Sequence, residues 1–366
     1  MIKKKLKNTT AFAFGFLISI LILEIFLNLY DPFGFRVEGN KIILPAKQQY
    51  IIKNDVTQKL PAIINHQKNS LGFRGDELNS SNNKVKIFAV GGSTTECYYL
   101  NDGKDWPNLL QSIINKELAN KIWINNAGLD GHSTFGHKIL VEDYLVSLKP
   151  DILIFYVGIN DVGRSDLNEH DASRLKNNNA IKFKEKIKQF FLKKSKLIQV
   201  IKSIYRALNA DHFQLHHNFV GFNNLKLLNL SQKKIEQELV NHEKYFLPNY
   251  EKRLIEIINI CKKDHIVPFF ISQPALYGEG YDEEIKVDLG KVQLSKNVNG
   301  ELKWRVLQLY NNKLKEVSNK HNISFIDVAN LMNKKSNYFY DWIHYTEDGS
   351  LEIAKIISKE LIKYLK

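Results

Sequence analysis

The sequence predicts an α/β protein, a three-layer sandwich with a central parallel sheet. Two observations carry this. Five short apolar runs alternate with five amphipathic patterns of helical period along the chain. Three of those runs end in short stretches rich in Gly, Ser, Asn and Asp. Strands followed by helices in this order build parallel sheets covered by helices on both faces. A third observation adds to this core a transmembrane helix at the N-terminus, and a long interruption after residue 162 adds a helical insertion.

The chain opens on MIKKKLK, which is basic, and Ala11 to Leu23 follows without a charge. Apolar character resumes after Glu24 with Ile25, Phe26 and Leu27. Thr10 to Tyr30 therefore reads as a single membrane span. Lysines before the span and none clustered after it favour an inward N-terminus. No small-x-small cleavage site is evident, so residues 1–30 read as an uncleaved anchor rather than a removed signal peptide. The expected location is the cytoplasmic membrane, with the remaining chain extracytoplasmic. Glu24 is costly in hydrocarbon and needs an interface, a proton or a partner.

Residues 31–84 are polar and loop-rich, and read as a stalk or lead-in segment that ends by packing on the domain that follows. Strands are expected at Val85–Val90, Ile122–Asn126, Ile152–Val157, Ile266–Ile271 and Ile323–Ile326. Helices are expected at Trp106–Leu118, Phe135–Leu148, Tyr250–Lys262, Leu302–His321 and Gly349–Leu365. The main domain is thus 85–366, interrupted at about 163–242. Within the interruption Ile181, Phe183, Ile187, Phe190, Ile198 and Ile201 share one helical face, with lysines over the rest. Three readings stay open for it: a solvated helix packed on the domain, a cap over the active site, or a basic helix resting on the membrane.

Composition narrows the function. A chain with 44% hydrophobic and 11% aromatic residues is folded rather than disordered. The net charge of +13 comes from lysines spread through the chain without a nucleic-acid motif, so no nucleic-acid partner is expected. Attraction to an anionic surface or glycan stays open. No phosphate loop, dinucleotide fingerprint or metal-spaced His/Cys cluster is present, so neither a cofactor nor a metal is expected. The two cysteines, Cys97 and Cys261, allow one bridge, and spacing does not decide whether they meet. Oligomeric state is not encoded in any pattern found.

The chemistry sits in four separated blocks. Val85–Val90 runs into Gly91-Gly92-Ser93, a serine on a sharp turn at the carboxyl end of a strand. Asn126-Ala-Gly-Leu-Asp-Gly131 follows the second strand, and Gly158-Ile-Asn160-Asp161 follows the third. Asp341-Trp-Ile-His344 stands near the C-terminus. In a parallel sheet the strand ends share one edge, so the blocks can converge. They supply what acyl transfer needs: a hydroxyl, a base, an orienting carboxylate and preset donors.

This ordered set resembles the SGNH (GDSL-type) hydrolase family, in a Gly-Gly-Ser-Thr version, across roughly Val85 to Lys366. NSLGFRG (Asn69 to Gly75) and Trp106-Pro107 are supporting matches. Gly92 departs from the aspartate that many members carry before the serine. The resemblance implies the flavodoxin-like SGNH fold, with Ser93 as nucleophile, His344 as base and Asp341 as its orienter. It implies an oxyanion hole formed by the backbone N–H groups of Ser93 and Gly131 and the side-chain amide of Asn160. Gly128 and Asp130 shape their loop, Asp161 braces its own, His132 is structural, and Gln273-Pro274 lines the pocket. The expected activity is a membrane-anchored serine esterase acting on carboxylic esters, O-acetyl groups on carbohydrate among them. Its partners are an acylated small molecule or glycan and, through the N-terminal helix, the membrane. An O-acyltransferase on the same triad and a non-catalytic surface-binding or scaffold protein are the alternatives.

Overall fold

The computed structural model describes residues 2–29, 37–38, 41–42, 44, 47–54, 57–78, 84–119, 121–164, 195, 197, 222 and 225–366. The chain divides into two compact units. One holds residues 1–45 and 170–216, the other residues 46–169 and 217–366.

In the first unit the apolar N-terminal sequence forms helix α1, Ile2–Leu29. Phe12, Phe14, Leu17, Leu21, Ile22 and Phe26 are exposed on it. Among the described residues, no helix presents a continuous stretch long and apolar enough to cross a membrane. Glu24 has partners in this unit. Its Oε2 accepts from the Ser195 hydroxyl at 2.8 Å and from the Leu197 backbone N–H at 3.1 Å. The apolar helical face expected between Ile181 and Ile201 lies outside the described residues, apart from Ser195 and Leu197.

The second unit opens with a hairpin, β1 (Gln49–Lys53) against β2 (Ile63–Gln67), paired antiparallel. The core follows: β3 Val85–Gly91, α2 Ser93–Glu96, α3 Trp106–Glu117, β4 Ile122–Asn126, α4 Thr134–Leu140 and β5 Ile152–Tyr156. Then come α5 Gln232–Tyr245, α6 Leu247–Lys263, β6 Val267–Ile271, α7 Gly300–His321, β7 Ser324–Ile326 and α8 Glu347–Leu365. The five core strands form one sheet in the order β7-β6-β5-β3-β4, every pair parallel. Strand order reverses between β3 and β5, and doubly wound sheets bind ligands at such a switch point.

Alternation along the strands builds the layers. Ile87, Ala89, Ile124 and Ile154 share one core with Trp106, Leu110 and Ile114 of α3 and Ile353, Ile357 and Leu361 of α8. Helices α6 and α7 pack together and reach β6. The strands are nearly continuous hydrophobic runs because both faces are covered. Capping sets the helix starts. Asp105 accepts the Asn108 backbone N–H ahead of α3, with Pro107 in its first turn, and Thr346 accepts the Gly349 N–H ahead of α8.

The structure departs from the expected elements in four places, the first being the β1–β2 hairpin within the segment expected to be a loop-rich stalk. The helix expected at Phe135–Leu148 is α-helical only to Leu140. It continues as a π turn (Val141–Leu145) and a 3-10 turn, and ends at Lys149 in the left-handed region. The end of the expected insertion belongs to the second unit. Leu227 bridges Val292, and α5 begins at Gln232 behind a Ser231 cap. Two short hairpins, 281–288 and 293–299, fill a stretch with no expected element.

Candidate active site

Strand β3 delivers Gly92 and Ser93 to the carboxyl edge of the sheet, and Ser93 is the first residue of α2. His344 and Asp341 come from the loop before α8. His344 Nε2 lies 2.8 Å from the Ser93 hydroxyl, and its Nδ1 lies 2.6 Å from Asp341 Oδ2. A carboxylate only accepts, so Nδ1 carries the proton and Nε2 is left to accept from Ser93. The other Asp341 oxygen accepts the backbone N–H groups of Ile343 at 2.8 Å and His344 at 2.7 Å. Burial alone would raise the Asp341 carboxyl. The His344 charge and hydrogen bond, with those two N–H groups, outweigh burial and hold it below the ordinary aspartate value. The Tyr340 ring stacks on the imidazole at 5.6 Å between centroids and 11° between planes. This line of groups can take a proton from a serine hydroxyl and return it.

Asn160 ends up against Gly92, the residue before the serine. Its Nδ2 donates to the His132 carbonyl at 2.9 Å, which fixes the amide orientation and leaves a second N–H. A Cβ on residue 92 would lie 2.2 Å from that nitrogen and 3.0 Å from the His132 oxygen. Gly92 is therefore a glycine because the Asn160 amide occupies the space. This gives the departure at position 92 a physical cause. Gly131 sits one residue before His132, exposed, with φ 69°, and a Cβ there would meet no protein atom within 4 Å. Its need for glycine is conformational, and the space in front of it is open.

The remaining expectations resolve individually. Asp161 braces. It is buried, accepts the Thr134 backbone N–H and hydroxyl, and pairs with Arg253 at 3.2 Å. Burial raises its carboxyl against the opposing pull of Arg253 and Thr134. The His132 ring packs on Gly136 and lies 6.5 Å from the His137 ring. Gln273, expected to line the pocket, is buried and bonded to its neighbours on all sides. Cys97 and Cys261 are both free and buried. Burial pushes each thiol up to about 12, so Cys97 is no rival nucleophile.

Three supporting side chains escaped sequence reasoning, Lys68, Thr134 and Arg253, and a fourth, Arg74, stands in the NSLGFRG match without a role assigned to it. Arg74, wholly buried, donates to the carbonyls of Glu96 at 2.8 Å, Cys97 at 2.6 Å and Leu100 at 2.8 Å. It thereby satisfies the end of the one-turn helix that carries Ser93. Lys68 pairs with Glu96 at 3.0 Å inside the protein. Arg253 did carry a signal, since it falls among Tyr250, Leu254 and Ile257 on the buried face of α6.

Three comparisons bear on this site. A putative lipolytic protein of the G-D-S-L family from Desulfitobacterium hafniense is 12% identical, covering 75% of this chain and 99% of its own at a TM-score of 0.40. A catalytic mutant of Axe2, an acetylxylan esterase from Geobacillus stearothermophilus, is 13% identical, covering 76% and 94% at 0.43. No curated protein matches the chain closely. The model of the GDSL-like lipase/acylhydrolase family matches residues 89–350, which include Ser93, Gly131, Asn160, Asp341 and His344, and the chain belongs to that family of ester-bond hydrolases.

Proposed function

We propose that the protein is a membrane-anchored, extracytoplasmic serine esterase that cleaves carboxylic esters, O-acetyl groups on carbohydrate among them, through an acyl-enzyme on Ser93. The observation that carries this reading is the unbroken line Ser93 Oγ–His344–Asp341, with contacts of 2.8 and 2.6 Å. Ser93 Oγ attacks the acyl carbon while His344 Nε2 takes its proton. Asp341 holds the imidazole in the tautomer that can accept it and stabilises the imidazolium. The negative charge on the carbonyl oxygen is met by the N–H groups of Ser93 and Gly131 and by the second N–H of Asn160. Collapse expels the alcohol, which receives the proton from His344. Water then attacks the acyl-serine, with His344 again as base, and releases the acid and free Ser93.

The substrate class draws on the family of ester-bond hydrolases to which the chain belongs, and on a positive chain suited to anionic surfaces. The anchor draws on the sequence alone, on the lysines before Ala11–Leu23 and the uncharged run itself. The test uses purified wild type and Ser93→Ala on short acetyl esters, with and without a glycan acceptor. Wild type releases acetate, and Ser93→Ala loses at least about a thousandfold in kcat while keeping its fold. Acyl transfer to the acceptor in place of acetate release would make the enzyme a transferase. Near-normal turnover by Ser93→Ala would refute the mechanism. A reporter active only in the cytoplasm, fused after Lys366, should be silent.

A further inference from the structure

Three separate segments supply the groups assigned above to the oxyanion: the Ser93 turn, the Gly131 loop and the Asn160 turn. They come from the ends of three different strands, so chain connectivity does not set their mutual distances. Each pair of segments is joined by a buried side chain, beside the direct bonds of Asn160 to the His132 carbonyl, of Leu129 N–H to the Gly91 carbonyl and of Asn126 to the Thr95 carbonyl.

Gln273, at the end of β6, joins the Ser93 turn to the Asn160 turn. Its Nε2 donates to the Thr94 hydroxyl at 2.8 Å, and its Oε1 accepts the Ile159 N–H at 2.6 Å. Its own backbone is held on both sides by Asn311, which accepts the Gln273 N–H and donates to the Gln273 carbonyl, each at 3.0 Å. Glu96, on the Ser93 helix, joins that helix to the Gly131 loop. Its Oε2 accepts the Asp130 N–H at 2.6 Å, while Lys68 neutralises Oε1 at 3.0 Å. Asp161, on the Asn160 turn, joins that turn to the far end of the same loop. It accepts the Thr134 N–H at 3.2 Å and the Thr134 hydroxyl at 2.5 Å. Arg253 completes this corner, donating to Thr134 Oγ1 at 2.7 Å and pairing with Asp161 at 3.2 Å.

We propose that Gln273, Glu96 and Asp161 are positioning residues that help to hold the oxyanion hole, each bracing one pair of its contributing segments. The proposal rests on the esterase reading for its catalytic consequence, but the ties are side-chain contacts independent of it. The ties of all three run to groups other than Ser93 Oγ, His344 and Asp341. Their effect is to keep donors aimed before the charge develops. In a water-poor site that preorganisation is where electrostatic stabilisation comes from. Shape alone would not provide it, because a donor displaced by 1 Å loses much of a hydrogen bond. The three ties form a closed ring, so loosening one lets the donor it aims shift, and a second loss acts on donors already displaced. Loss of a second tie should then cost less than loss of the first.

Gln273 is the cleanest place to test this, because it is neutral and its replacement strands no buried charge. Gln273→Met keeps its length and removes both hydrogen bonds. The expected result is a fall in kcat of about tenfold, below the loss for deleting a donor outright. KM should stay within about twofold, and the acid limb of the pH profile should not move, because His344 and Asp341 are untouched. Adding Asp161→Asn to Gln273→Met should lower kcat by less than the product of the two single effects. Amide exchange, which needs no turnover, gives a second readout. The Ile159 N–H should exchange about tenfold faster in Gln273→Met, with the Asp130 N–H unchanged in the folded protein. An unchanged kcat with unchanged exchange at Ile159 would overturn the proposal. So would a rise in KM matching the loss in kcat, a shifted acid limb, or strict multiplicativity in the double variant. Faster exchange in a protein whose wild type cleaves no ester would keep the tie and bring down the esterase reading instead.

Discussion

The two halves of the site are held in opposite ways. The base half is local. Asp341 and His344 are three residues apart, Asp341 accepts the N–H groups of Ile343 and His344, and the stacked ring is the neighbouring Tyr340. The nucleophile half is held from a distance. Arg74 and Lys68 come from the segment before β3, Gln273 from β6, and Arg253 from α6. The base half needs one loop to fold correctly, whereas the nucleophile half needs most of the second unit assembled. A local fault should therefore cost chemistry and spare stability. A fault in the distant supports should cost stability first.

The largest expected effect breaks the base half alone. Asp341→Asn offers Nδ1 a donor, so the imidazole turns to the tautomer whose Nε2 carries the proton and cannot accept from Ser93. We expect kcat to fall about a thousandfold or more with a small change in unfolding free energy, read by steady-state kinetics and urea denaturation. A loss of less than tenfold would mean that the local half is not the base. Next comes Arg74→Met, which takes the guanidinium from the Glu96, Cys97 and Leu100 carbonyls and from buried Asp105, the Cys97 carbonyl keeping only the Leu100 N–H. It should destabilise the protein by about 3 kcal/mol, with residual folded enzyme retaining its KM. If stability is unchanged, the distant half is not what holds the Ser93 helix.

The smallest effect separates two carboxylates by pH. Asp341 is held below its ordinary value of 3.8, so its stabilisation is full above that pH and is lost as pH falls through its lower folded value. Burial dominates at Asp161 and raises its carboxyl, so its contribution instead declines as pH rises from 3.8 through its higher folded value. The stability gap between wild type and Asp341→Asn should therefore narrow as urea unfolding is repeated at pH values falling below 3.8. For Asp161→Asn the change should run the other way, the variant losing least relative to wild type near neutral pH. Parallel pH curves for the two variants would contradict the assigned directions.

The same contrast explains what the sequence disclosed. The five core strands stand within a residue or two of the positions that apolar runs suggest, because strands buried on both faces announce themselves by composition. Asp341 and His344 are visible as a spacing, since their contact lies within one loop. Gly92 is visible as an oddity but not as a consequence, because the atom that excludes a side chain there belongs to Asn160, from another strand. Gln273 attracts notice through its place after β6, yet the sequence shows neither of its partners. Arg74 stands inside the NSLGFRG match, but neither its burial nor that of Lys68 is visible there, since a buried cation depends on carbonyls and carboxylates that only the folded chain collects. The β1–β2 hairpin is hidden for a related reason. Gln49–Lys53 alternates between exposed and half-buried residues, too weakly to be told from a loop.

The two unpaired cysteines make the folded protein its own chemical clock. Each thiol is buried and pushed up to about 12, so an alkylating reagent at neutral pH finds almost no thiolate while the structure is closed. Cys97 ends the helix that carries Ser93, and Cys261 lies on α6, the helix that carries Arg253. The rate at which each becomes alkylated measures how often its own neighbourhood opens, with no label introduced and no substrate required. Faster modification at Cys97 than at Cys261 would locate the weaker seam of the molecule at the nucleophile turn, whereas equal rates would show that both open only when the whole unit unfolds.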